Sequence, residues 1–385
     1  MPHIDAMNVF GRAAIADFLG DNIVYRNLVP MDERLPRLED LWERLGLPAG
    51  GVPRKVEPAY AQVIVEILRA ARAVDAPGSG IRRLVFVGDT RMNDGSAFAN
   101  ICQAGAWPGM GFIGSENAEP PEVVYEALAT GRMLYVANRW SALEDFDRYC
   151  RQQNFPIDES AAVIVDLDKT ALGARGRNAH VIDRARVQAV EDTVAGLLGA
   201  DFDQAAFQEA YDHLNQVEYH PFTRDNQDYL AYLCLILGSG LFNLKTIVAD
   251  VRADRLSSFE AFIHSVDARS NELPSALAEI HAQIYANVRA GDPTPFKAFR
   301  RNEYLATVAK MGFLGDDQSA TALLEQEIVI TQEVRQVTHK WRHQGAILFG
   351  LSDKPDEASI PTRSLEAQGY LPIHRKQTHV VGSGK

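Results

Sequence analysis

Cysteine is scarce: Cys102, Cys150 and Cys234 are the only three in 385 residues. They are odd in number, far apart, and show no Cys-x-x-Cys or Cys/His spacing, so neither a disulfide scaffold nor a zinc ribbon is expected. They read as buried thiols of a reducing compartment. No Lys/Arg tract is long enough to track a phosphate backbone, and 51 acidic residues outnumber 39 basic ones, for a net charge of −12. Nucleic acid is a poor partner for such a surface, and any phosphate bound should be small. The longest apolar run, Tyr229 to Phe242, is too short to span a bilayer and is interrupted by Gly238 and Gly240. With no basic region followed by an apolar run at the N-terminus, no membrane partner is expected and the predicted location is the cytoplasm. The ten histidines show no His-Glu-x-x-His spacing, and His180, His220 and His343 read as structural. No internal repeat or low-complexity tract is evident.

What is present is a chain with 46% hydrophobic residues, enough for two domains or one large decorated one. Residues 1–50 carry helical patterns around 9–19 and 35–45, followed by a Pro/Gly break at 48–53, and are expected to form a helical extension. Short apolar runs at 84–87, 111–113, 133–136 and 162–165 alternate with helical periodicity at 58–74, 96–104 and 142–151. That alternation predicts an α/β fold with a Rossmann-like parallel sheet over residues 51–175. Residues 176–338 change character, with amphipathic stretches at 187–198, 207–217, 229–251, 277–288 and 320–337 and little strand signal. They are expected to form a large all-helical cap domain. Residues 339–385 return to the core, with strands at 346–349 and near 378–381 and a helix near Ser364.

Three strand ends carry polar groups. In Val163-Ile-Val-Asp166-Leu-Asp168-Lys-Thr170, two carboxylates lie two residues apart at the carboxyl end of a buried strand, the edge at which open α/β sheets bind ligands. Asp166 is placed to attack phosphorus and to ligate Mg²⁺, and Asp168 to protonate the leaving oxygen and then activate water. An Asp-x-Asp pair also suits a solvated turn. A second buried strand ends in Gly88-Asp89, with Asn93 and Asp94 just beyond, and Asp89 lies within metal-sharing reach of Asp166 if the two strands are neighbours; alone, it reads as a Gly-Asp turn. The third runs Ala346-Ile-Leu-Phe-Gly-Leu-Ser352, with a hydroxyl suited either to a phosphate oxygen or to an ordinary helix cap. Lys55, in Arg54-Lys55-Val-Glu-Pro58, precedes the helix that leads into the Asp89 strand, and gains meaning only from the others.

Together these residues resemble the haloacid dehalogenase superfamily of phosphohydrolases. Asp166-Leu-Asp168-Lys-Thr170 is similar to the first motif, Ser352-Asp353-Lys354-Pro355 to the second, Lys55-Val-Glu-Pro58 to the third, and Gly88-Asp89 with Asp94 or Asn93 to the metal-binding fourth. The motifs occur in the order third, fourth, first, second, so the resemblance implies a circularly permuted chain. A competing alignment keeps the usual order by taking Ser352-Asp353 with Asp356 or Glu357 as the fourth motif and Lys340 as the lysine. The two predict different neighbours for Asp166: Asp89 in the first, Asp353 in the second.

The resemblance implies a Mg²⁺-dependent phosphatase acting on a small phosphorylated metabolite through an aspartyl-phosphate. Asp166, Asp168, Lys55 and Ser352 would be catalytic. Asp166, Asp89, Asp94 and the backbone carbonyl of Asp168 would hold the metal. Thr170, Arg175, Arg177 and Asn178 follow the first motif closely enough to be candidate substrate contacts. The alternatives are a non-catalytic module that binds a phosphorylated ligand, and a haloacid dehalogenase, which Asp168 disfavours because a halide needs no proton donor. The sequence leaves the substrate, the assembly state and the role of residues 1–50 open.

Overall fold

The computed structural model describes residues 7–47, 51–129 and 131–383. The chain divides into two compact units, one comprising Met1–Arg184 with Thr307–Lys385, the other Ala185–Ala306. The expected Pro/Gly break at 48–53 falls partly on residues 48–50, outside the described residues.

Among the described residues, ten strands occur along the first unit: β1 (Met7–Ala13), β2 (Ile23–Val24), β3 (Arg83–Gly88), β4 (Gly109–Gly114), β5 (Val123–Ala129), β6 (Arg132–Ala137), β7 (Ala161–Asp166), β8 (Ile330–Thr331), β9 (Ile347–Leu351) and β10 (Thr378–Ser383). Seven form one sheet in the order β2-β9-β7-β3-β4-β6-β5, parallel except for β5 at the edge. The other three form a small sheet, β1-β10-β8. The fold is therefore α/β with a mostly parallel sheet, together with a largely helical segment over about residues 179–343.

Burial explains why the apolar runs become central strands. All six residues of β7 are buried, as are five of the six in β3, because helices pack on the faces of a parallel sheet and leave no solvent side for polar alternation. The helix Pro58–Asp75 starts with Pro at its first turn, where the missing N–H costs nothing. It buries Val63, Ile64, Ile67 and Leu68 in one core with Leu84, Phe86, Ile164 and Phe349. Each such side chain contributes about 1.5–3 kcal/mol by leaving water.

The structure departs from the sequence-based expectations in four places. The segment around 9–19 is mainly strand: β1 pairs antiparallel with β10, and only Ala16–Leu19 is helical. Met7 and Val9 alternate onto Leu323, Leu324 and Val381, so the true period was two. The stretch 229–251 is two helices, Gln227–Gly238 and Leu244–Arg252, separated by a turn in which Gly240 has φ +77°. The stretch 320–337 likewise breaks into Ala320–Gln326 and Gln332–His343 around β8. β5, Val-Val-Tyr-Glu-Ala-Leu-Ala, is the fourth: it is an edge strand with five of its seven residues exposed, and Glu126 interrupts its apolar residues.

Within Ala185–Ala306 the helices enclose their own core, in which Val190, Phe207, Tyr211, Leu230, Phe259 and Phe262 are buried. Tyr229 and Phe259 stack with centroids 3.7 Å apart.

Candidate metal centre

Strand order and register bring the polar strand ends together. β7 lies between β3 and β9, with Val165 opposite Val87 and Asp166 opposite Leu351. Asp89 and Ser352 therefore emerge just past the strand ends on either side of Asp166. The three carboxylates of Asp89, Asp94 and Asp166 are buried, and each offers an oxygen within 4.8 Å of the others. Of the two neighbours that the alternative alignments predict for Asp166, Asp89 is the one in this group. Asp353 instead lies 3.9 Å from Arg26.

Asp94 is built into the turn after β3. It stands in the first turn of the helix Asn93–Gly105, and its Oδ2 accepts the Asp89 N–H at 2.9 Å, the Thr90 N–H at 2.9 Å and the Thr90 hydroxyl at 3.0 Å. Gly88 makes room for it: a Cβ there would lie 2.6 Å from the Asp94 Cβ. Lys55 bridges the group, donating from Nζ to Asp94 Oδ1 and to Asp166 Oδ1, both at 2.6 Å. Its loop is fixed by Arg54 N–H to Glu57 at 3.1 Å and by Asn100 to the Val56 carbonyl at 2.8 Å. Arg175 donates from Nε to Asp89 Oδ2.

These contacts leave the group short of positive charge. Three carboxylates face two cations, Lys55 and Arg175, and no protein N–H or O–H reaches Asp89 Oδ1 or Asp166 Oδ2 among the described residues. Burial pushes Asp166 well above the ordinary carboxylate range; Lys55 opposes the rise, and the charges of Asp94 and Asp89 add to it. Burial, with the neighbouring charge of Asp94, raises Asp89 to about 7 against the pull of Arg175. Burial would raise Asp94 as well, yet Lys55 and the backbone donors hold it below the usual range. Burial disfavours the charged form of Lys55, but Asp166 and Asp94 outweigh it and keep the ammonium protonated. A buried, all-oxygen donor set with surplus negative charge and two carboxylate oxygens lacking a protein donor suits a hard divalent cation. The three aspartates could hold such an ion.

Other residues singled out from the sequence lie as follows. After β7 the chain makes a tight turn, with Ala171 N–H to Asp166 O at 3.2 Å, Leu172 N–H to Leu167 O at 2.9 Å, and Lys169 in the left-handed region at φ +64°. Asp168, on this turn, is half-buried and its carboxylate stands outside the group of three; its nearest cation is Lys354 Nζ at 4.0 Å. Ser352 is buried, and its Oγ accepts the Lys354 N–H at 3.0 Å. Thr170 is fully buried and its hydroxyl has no partner.

Arg177 and Asn178 have their donors engaged within the fold. Arg177 forks onto Glu333 with two bonds of 2.9 Å and reaches Glu116 at 2.8 Å. Asn178 donates to the carbonyls of Leu324 and Glu327 and accepts the Val329 N–H. Asn178 ties the loop after β7 to the segment leading into β8, and Arg177 ties it to the helix after β8 and to the loop after β4. Sequence reasoning gave no site role to Lys354, whose Nζ is buried and lies 3.3 Å from the Thr307 hydroxyl; its place two residues after the serine that follows β9 was the available signal. Among the described residues no helix is long and apolar enough to cross a membrane. No protein-family model matches the chain, and no curated protein or solved structure matches it either.

Proposed function

We propose that the chain is a Mg²⁺-dependent phosphohydrolase with the chemistry of the haloacid dehalogenase superfamily, in circularly permuted order, acting on a small phosphorylated metabolite. The observation that carries this reading is the meeting of Asp89, Asp94, Asp166 and Lys55 at the carboxyl end of adjacent parallel strands. The strand order β9-β7-β3, with Asp166 central and Ser352 and Asp89 to either side, supports the same reading.

In this mechanism Asp166 attacks phosphorus, the bond to the leaving oxygen breaks, and Asp168 delivers a proton to that oxygen. Water then attacks the aspartyl-phosphate while Asp168 takes its proton, releasing inorganic phosphate and restoring Asp166. Asp89, Asp94, Asp166 and the Asp168 carbonyl would hold Mg²⁺, which when bound supplies charge compensation for the carboxylates and the transferring phosphoryl oxygens. Lys55 orients Asp166 and favours its ionised form against burial, and the Ser352 O–H, whose oxygen already accepts a backbone N–H, is left to donate to a phosphoryl oxygen. Lys354, 4.0 Å from Asp168, orients that carboxylate. Arg177, Asn178 and the fully buried Thr170 act through the loop they hold; Arg175 remains the proposed substrate contact. The helical segment is inserted in the chain between β7 and β9, which carry Asp166 and lead to Ser352, and substrate selection is assigned to it on that ground.

The test is release of phosphate from an aryl phosphate. Turnover should require Mg²⁺ and fall at least about 10³-fold in Asp166→Asn. Undiminished turnover in that variant would remove the mechanism, and Mg²⁺ binding without turnover or a beryllofluoride adduct at Asp166 would favour a phospho-ligand-binding module.

A further inference from the structure

The geometry points to Arg175 as a placeholder cation, which neutralises Asp89 in the metal-free protein and yields that carboxylate when a divalent cation binds. The inference rests on the metal centre proposed above and adds a device that regulates it. Lys55 serves Asp94 and Asp166 but makes no bond to Asp89, whose one cationic partner among the described residues is Arg175. The acid is buried, whereas the arginine side chain is 40% exposed, so the cation approaches from the solvent side.

The backbone of Arg175 is fixed and its side chain is not. Its N–H donates to the Lys169 carbonyl at 2.7 Å, and its carbonyl accepts the Glu116 N–H at 3.0 Å and the Trp140 indole N–H at 3.1 Å. Gly176 follows at φ +76°, where a Cβ would fall 1.8 Å from the Glu116 carbonyl oxygen, so the loop has one way to pass. Any adjustment must come from the side-chain torsions of Arg175.

Arg177, two residues on, supplies the contrast. Its guanidinium is buried and bonded through Nε, Nη1 and Nη2 to two glutamates, the pattern of an arginine whose task is to hold the fold. Arg175 bonds through Nε alone, and its Nη1 and Nη2 have no protein partner among the described residues. An arginine with one N–H committed and four left over can exchange its carboxylate for the oxygens of an anionic substrate. Because a metal ion and the guanidinium carry the same sign and claim the same carboxylate, each weakens the other's hold on it.

Isothermal titration of the full chain with MgCl₂ at pH 8.5 tests this. Arg175→Gln should bind Mg²⁺ about tenfold more tightly than the unaltered protein, since a unit positive charge has left the site. Arg175→Lys, which keeps the charge, should stay within about twofold of it. The KM for an aryl phosphate should rise in Arg175→Gln although the metal is held more tightly. Unchanged or weaker Mg²⁺ binding in Arg175→Gln overturns the inference, as does equal tightening in Arg175→Lys. Asp89→Asn separates this from the underlying reading. If it binds Mg²⁺ as well as the unaltered protein, the metal centre itself fails; if it loses binding while Arg175→Gln shows no tightening, the centre stands and the placeholder falls.

Discussion

Two buried charge clusters, one in each compact unit, differ in their arithmetic. In the helical unit, Arg300 and Arg186 face Asp228 and Glu303. Arg300 Nε reaches Asp228 Oδ2 at 2.7 Å and its Nη1 reaches Glu303 Oε2 at 2.6 Å; Arg186 takes Glu303 Oε1 at 3.1 Å, and the Phe296 N–H takes Asp228 Oδ1 at 3.0 Å. Charges balance two to two, and all four carboxylate oxygens are occupied. At the carboxyl end of β7 and β3 three acids face two cations, and two oxygens have no donor. A balanced knot specifies packing. An unbalanced one costs stability, which the fold tolerates where an added cation can restore neutrality.

The largest expected effect comes from unbalancing the knot that is balanced. Arg300→Ala would strand the buried Asp228 and leave the buried Glu303 with Arg186 alone, and should lower the stability of the chain by about 3–5 kcal/mol in urea unfolding, with no change in Mg²⁺ affinity. The same operation in the sheet-end cluster should have the opposite sign. Asp89→Asn removes the one surplus charge and should raise the melting temperature in EDTA at pH 8 by a few degrees, on the order of 1 kcal/mol, while impairing Mg²⁺ binding. Asp89→Asn less stable than the unaltered protein in EDTA would show that the cluster is structural after all.

The pH dependence sharpens the contrast. Asp89 titrates near 7 in the native metal-free protein, against about 4 when unfolded. Between those values the native state holds the proton more tightly than the unfolded state. The contribution of Asp89 to stability is therefore largest at low pH and declines as pH rises from about 4 to about 7. Melting in EDTA should show that decline, Asp89→Asn should reduce it, and saturating Mg²⁺ should offset it above pH 7. The smallest effect is expected at a solvated pair: Asp183→Asn removes the 2.8 Å contact with Lys169 and should change stability by less than about 1 kcal/mol.

The strands that could be read from the sequence are those whose neighbours bury them. β3, β4, β6, β7 and β9 each carry a run such as Ala162-Val-Ile-Val165, because both faces of a parallel sheet must be apolar. β2 and β8 have two residues each, too few for any periodicity, and β1 and β5 lie at sheet edges with their residues mostly outside the core. At the site, Asp89, Asp166 and Ser352 stood out as polar groups closing apolar runs. Arg177 and Asn178 attracted attention by nearness to Asp166 along the chain, but the turn at Gly176 takes them to Glu333 and to the carbonyls of Leu324 and Glu327. The role of Lys55 as the bridge between Asp94 and Asp166 depends on a contact across 111 residues, which no local pattern encodes.

The order of polar and apolar residues along the chain was enough to determine that acids would close buried strands, since a strand interior excludes charge and a strand end exposes it to whatever gathers there. Which acids share one small volume was decided only by the lateral order of the strands, β9-β7-β3. The count of two cations against three carboxylates, on which the metal centre and the placeholder role of Arg175 both depend, was likewise settled by the tertiary structure. Coulomb forces act through space at a few ångströms, whereas sequence records only distance along the chain.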